Sequence, residues 1–114
     1  MQQLGLSIFN MNITATAALV GSRFVTFAGA VPAANANVLG VVKNPGIIGD
    51  WIIVDVLGTA IVESGGAIAA GATIATDSQG RAVSWTAGAK IGLATQATTV
   101  AGQMVEVLLI PNVA

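Results

Sequence analysis

The side chains able to do chemistry are few and lie far apart along the chain. Four of the 114 residues are Lys or Arg, five are Asp or Glu, and His, Cys and Tyr are absent. Without His, the Ser and Thr hydroxyls lack their usual base. Lys43 and Lys90 remain as activators, each alone in a turn or at a strand start. The carboxylates Asp50, Asp55, Glu63, Asp77 and Glu106 are the raw material for an acid and base pair, but their positions follow turns and strand edges. Asp77-Ser78-Gln79-Gly80, for example, reads as a turn that Asp77 opens and Gly80 closes. The same segment lacks the alternating oxygen ligands and terminal Glu of a calcium loop. The missing thiols and imidazoles remove the common zinc sites and any disulfide framework. Gly65-Gly66 and Gly71 do not follow dinucleotide spacing, and no Gly-Lys-Ser or Gly-Lys-Thr phosphate loop occurs. No catalytic residue, metal ligand or cofactor is expected, and the chain reads as a non-enzyme.

Composition points toward surfaces instead. Hydrophobic residues make up 54% of the chain and charged residues 8%, against about 25% charged in an average soluble domain. The basic residues Arg23, Lys43, Arg81 and Lys90 are scattered, whereas a nucleic-acid partner needs them clustered on phosphates. An exterior with so few charges consists of small, uncharged residues or is covered by other chains, and such surfaces associate readily. The uncharged first 22 residues are interrupted by Gln2, Gln3, Asn10 and Asn12 and follow no basic start, so they do not read as a signal peptide. The uncharged stretch from Phe24 to Val42 contains Gly29, Pro32, Asn35, Asn37 and Gly40, each unfavourable in a spanning helix. The reading is a soluble protein with no membrane partner.

The elements that must carry these surfaces are strands. Fourteen Gly divide the chain into short apolar runs rich in Val and Ile, with no sustained helical period. Strands are expected at Arg23 to Ala28, Asn37 to Lys43, Trp51 to Leu57, Ala60 to Glu63, Thr73 to Thr76, Arg81 to Trp85, Lys90 to Gln96 and Gln103 to Ile110. Between them lie Asn44-Pro45-Gly46, Gly49-Asp50, Ser64-Gly65-Gly66, Asp77 to Gly80, Ala87-Gly88 and Ala101-Gly102. Gly66 to Gly71 is expected as a tight loop whose glycines tolerate substitution poorly. The fold class is all-β: a small single-domain β-sandwich or barrel with an extended N-terminal arm, the arm being residues 1–16 and the β-domain residues 17–114.

Strand faces mark the candidate contact residues. In Trp51 to Leu57 one face is Ile52, Val54 and Val56. The other is Trp51, Ile53, Asp55 and Leu57, apolar apart from one carboxylate. Val105, Val107 and Leu109 likewise back onto Met104, Glu106, Leu108 and Ile110. Both faces therefore read as mostly covered, by the domain's own core or by another subunit. In the arm, Leu4, Leu6 and Ile8 alternate, as a segment laid along another surface requires. Leu4, Leu6, Ile8, Phe9, Trp51 and Ile53 are the residues expected to touch a partner or a neighbouring subunit.

Three blocks carry a family resemblance by their order: Gly49-Asp50-Trp51-Ile52-Ile53-Val54-Asp55-Val56-Leu57-Gly58-Thr59-Ala60, then Gly66-Ala67-Ile68-Ala69-Ala70-Gly71-Ala72-Thr73-Ile74, then Asp77-Ser78-Gln79-Gly80-Arg81-Ala82. Gly40-Val41-Val42 precedes them, and Ile91-Gly92-Leu93-Ala94 and Val105-Glu106-Val107-Leu108-Leu109 follow. Over roughly residues 20 to 110 this order resembles the capsid decoration, or cement, proteins of tailed bacteriophages. The resemblance implies a structural virion protein, made in the host cytoplasm, that sits on the outside of an icosahedral head and locks neighbouring major capsid proteins together, often as a homotrimer. A host-surface or carbohydrate-binding module displayed on a virion is the alternative, with Trp51, Trp85 and three Phe available for stacking.

Overall fold

Eight strands form the regular structure of residues 7–110, the part of the chain that the computed structural model describes, with backbone alone for Ser7 and Ile8. They are β1 Ser7–Thr14, β2 Phe24–Val25, β3 Gly40–Val42, β4 Trp51–Glu63, β5 Thr73–Thr76, β6 Ala82–Ser84, β7 Gly92–Ala94 and β8 Met104–Leu109. Each expected strand overlaps one of these. The described residues contain no helix, and so none long and apolar enough to cross a membrane.

The expected strands Trp51 to Leu57 and Ala60 to Glu63 are two halves of β4. Gly58, at φ 98°, kinks this strand without ending it, a conformation that costs a side-chain-bearing residue about 1 to 2 kcal/mol. The kink lets one strand serve two cores. Ile52 and Val54, with Val56 packed beside them, belong to a cluster containing Ala15, Leu19, Val25 and Val42. Ala60 and Val62 belong to a larger one containing Phe24, Val38, Val41, Ile74, Ile91, Val105 and Val107.

The strands run in the order β2-β3-β4-β8-β7-β5-β6, and β1 also pairs with β4. All named pairings are antiparallel. The ends of the sheet approach each other: Phe24 N–H donates to Gly80 O at 2.7 Å, and Asn35 N–H to Thr76 O at 2.9 Å. The result is a nearly closed, barrel-like sheet, one of the two architectures the sequence suggests.

The first described strand belongs to this sheet. The reading from sequence places residues 1–16 in an arm; Ser7–Thr14 is indeed extended, and its partner is the chain's own β4, from Ser7 opposite Gly58 to Thr14 opposite Trp51. Because β3 holds the opposite edge at Val54 and Asp55, β1 shares its edge of β4 with β8, which pairs from Gly58 to Glu63. Strands β1 and β8 thus lie end to end and meet at Gly58. Residues 1–6, with Leu4 and Leu6, lie outside the described residues.

Loop chemistry follows the expected logic with one correction. Asp77 Oδ1 accepts from Gln79 N–H at 2.9 Å and Arg81 N–H at 2.8 Å, while Gly80 takes φ 79°. In the alanine-rich loop, Ile68 plugs the larger core at 2% exposure, and Gly71 at φ 83° turns the chain where Ala72 N–H donates to Ala69 O. Gly66 differs: an added Cβ would meet nothing within 4 Å and its φ is not positive. Only Gly71 of that pair is restricted.

Candidate functional site

Among the described residues most of the charged groups are paired off in structural contacts. Arg23 Nη2 meets Glu63 Oε1 at 3.2 Å, Arg81 Nε meets Asp77 Oδ2 at 2.9 Å, and Lys90 Nζ lies 4.7 Å from the centroid of Trp85. Asp50 Oδ2 accepts from Ile47 N–H at 2.9 Å. Each of these charges is engaged in holding a turn or joining strands. Among the described residues no group of three or more His, Cys, Asp or Glu side chains is placed to hold a metal ion.

The expected contact residues Trp51 and Ile53 stand on the outer face of β4, 71% and 39% exposed, while Ile52 and Val54 between them are fully buried. Of the two covers expected for this face, the domain's own core is not the one over Trp51 and Ile53. Strand β8 repeats the pattern: Val105 and Val107 are buried, and Met104, Leu108 and Ile110 are 44%, 41% and 39% exposed. Phe9, at 51% exposure, lies at the irregularity of β1, where the register shifts between Ser7, Phe9 and Asn10. Ile8 also lies in β1.

Sequence reasoning missed Ile47 and Ile48. They occupy the turn entering β4, at 67% and 72% exposure, and with Trp51 they are the most exposed large apolar side chains among the described residues. The turn is braced on every side. Asp50 N–H donates to Ile47 O at 3.0 Å, Gly49 N–H to Ala15 O at 2.8 Å, and Ala15 N–H to Asp50 O at 2.9 Å. Asn44 completes the frame, its Oδ1 accepting from Ile53 N–H at 2.7 Å and its Nδ2 donating to Trp51 O at 3.3 Å. The signal was present: two isoleucines between Asn44-Pro45-Gly46 and Gly49-Asp50 sit on a turn with no way into the core. A braced projection of apolar side chains of this kind loses little conformational entropy when it docks, which favours affinity.

A second apolar feature is a groove of about 230 Å³ lined by Met11, Phe27, Val38, Leu39, Val56, Leu57 and Ile110. Phe27 on its rim is 66% exposed. A further depression, of about 520 Å³, is bordered by Ala70, Thr95, Gln96, Ala97, Thr98, Gln103 and Met104 and has no aromatic wall on which a sugar could stack.

The described residues thus form a nearly closed all-β barrel that carries apolar side chains on its outside. The sequence matches the phage cement protein family over residues 4–109, and the chain belongs to that family of capsid-associated structural proteins. The fold is similar to the crystal structure of the head fiber gp8.5 N base of bacteriophage phi29, with a TM-score of 0.74 and 19% identity, covering 90% of this chain and 93% of that one. No curated protein matches the sequence.

Proposed function

We propose that this protein decorates the outer surface of an assembled icosahedral phage head and cements neighbouring major capsid proteins, acting as a homotrimer. The observation that supports this reading best is the braced projection of Ile47, Ile48 and Trp51, continued by Ile53 along the outer face of β4. Trp is among the residues that dominate binding energy when seated in a partner's pocket, and an apolar anchor free of charge suits a shell contact that must persist at any ionic strength. Phe9, Ile8 and, N-terminal to them, Leu4 and Leu6 supply further contacts, to capsid or to a neighbouring decoration subunit.

Cementing follows from linkage. A ligand that binds the assembled lattice and not its separated subunits stabilises the lattice by about 2.7 kcal/mol per site when present at about 100 times its Kd. The protein is made in the host cytoplasm and meets the shell after assembly. Sedimentation tests the reading: the purified protein should pellet with capsids that lack it and leave unassembled capsid protein in the supernatant. Equal binding to both, or to neither, would contradict it. Binding to host cells or glycans in place of capsids would favour the alternative of a host-surface module.

A further inference from the structure

The outer face of β4 continues past Ile53. Alternation along the strand puts Asp55 on the same face as Trp51 and Ile53, and the ladders set Asn10 of β1 on one side of it and Val41 of β3 on the other. The carboxylate Oδ1 of Asp55 is shut off from solvent and has no hydrogen-bond partner. An oxygen in that state costs the free protein stability, because its hydration is lost and nothing replaces it.

A cleft of about 210 Å³ opens at this residue. Val41 and, beyond the kink at Gly58, Ala60 and Ile61 give it apolar walls, and Ser22 and Lys43 also line it. Apolar walls leading to a carboxylate match one kind of occupant. Lys and Arg lay a methylene stem along apolar surface and carry their charge at the tip, and a charged donor makes the stronger bond to a carboxylate. The Cβ–Cγ torsion of an Asp is soft, so the carboxylate can turn toward a cation seated in the cleft while the strand stays in place.

The chain's own basic side chains do not supply that cation. Arg23 is bonded to Glu63, Arg81 to Asp77, and Lys90 lies over Trp85. Lys43, the last of the four, lines the cleft but forms no ion pair with Asp55. It is exposed, so water screens its charge far more than that of the sheltered carboxylate. We propose that Asp55 receives a Lys or Arg side chain of the capsid protein. The partner surface then combines an apolar seat for Trp51 with a cation about 13 Å away, four residues along the strand at roughly 3.3 Å each. This inference rests on the proposed attachment through Trp51. A single pair walled by apolar side chains is screened less than exposed charges, so the dependence on salt stays weak.

Capsids lacking the protein test this with Asp55→Asn, Asp55→Lys and, as a reference, Trp51→Ser. Asp55→Asn should weaken attachment about tenfold, and Asp55→Lys at least about tenfold more through repulsion. The melting temperature of free Asp55→Asn should equal or exceed that of wild type, since no bond within the chain is lost. A lower melting temperature would show that the carboxylate is paired within its own chain and would overturn the proposal. Attachment of Asp55→Lys as tight as that of Asp55→Asn would do the same. Weaker self-association of Asp55→Asn in sedimentation equilibrium without capsids would assign the cleft to a second copy, again contradicting it. If Asp55→Asn attaches like wild type while Trp51→Ser does not, this inference alone fails. If both attach like wild type, the docking face itself is wrong.

Discussion

The backbone N–H of Phe24 donates to the carbonyl oxygen of Gly80 at 2.7 Å, joining β2 at one end of the sheet to the β5–β6 turn at the other. Gly80 allows this in two ways: it accepts φ 79°, and it has no Cβ, which would stand 2.8 Å from Phe24 O. Gly80→Ala should therefore lower stability by about 2 kcal/mol, a fall in melting temperature of roughly 8 °C for a domain of this size. An unchanged melting temperature would mean that the closure contributes little.

The alanine-rich loop separates conformation from space. Neither Gly66 nor Gly71 would bring a Cβ within 4 Å of another atom, but Gly71 alone has positive φ, at 83°. Gly71→Val should destabilise by at least about 1 to 2 kcal/mol through backbone strain, and Gly66→Ala should stay within about 0.5 kcal/mol of wild type. Thermal melts of the two variants distinguish them directly.

Truncation locates the boundary between barrel and contact segment. Removing residues 1–6 should leave the melting temperature within a few degrees of wild type and weaken self-association. Removing residues 1–12 strips most of the β1 ladder from β4, and the melting temperature should fall sharply. Equal melting temperatures for the two truncations would show that β1 is dispensable to the fold.

Salt should have little effect on capsid attachment. Arg23, Arg81 and Lys90 are engaged within the chain, with Glu63, Asp77 and Trp85, and the one charge in the turn of Ile47, Ile48 and Trp51, on Asp50, accepts from Ile47 N–H. The apparent Kd should change by less than about tenfold between 50 mM and 500 mM salt. A change of several orders of magnitude would point to an electrostatic clamp.

Much of this architecture can be read from the amino-acid sequence because turn chemistry is local. Thr73–Thr76 is recovered to the residue, flanked by the Gly71 turn and by Asp77, whose carboxylate organises its own turn. Gly58 misleads, since a glycine between two apolar runs signals a break while the fold uses it to kink one strand. Strand β1 misleads for the opposite reason: its pairing partner lies 37 to 51 residues away, and nothing within Ser7–Thr14 announces it. Trp51 and Ile53 are visible as an apolar face, but whether such a face is buried depends on what the rest of the chain lays over it. Ile47 and Ile48 stay hidden because their importance lies in being held rigidly outward by Asn44, Ala15 and Asp50.

The central claim is that attachment through this projection stabilises the shell. Capsids lacking the protein should be saturated with wild type or with Trp51→Ser, and shell disruption followed on heating alongside occupancy. Loss of the Trp51 side chain, as an interface anchor worth about 2 kcal/mol or more, should weaken attachment at least about 30-fold without lowering the melting temperature of the free protein. Wild type should raise the disruption temperature of the shell, and the variant, at concentrations where it no longer binds, should not. Full occupancy by wild type with an unchanged disruption temperature, or equal occupancy by Trp51→Ser, would contradict the account.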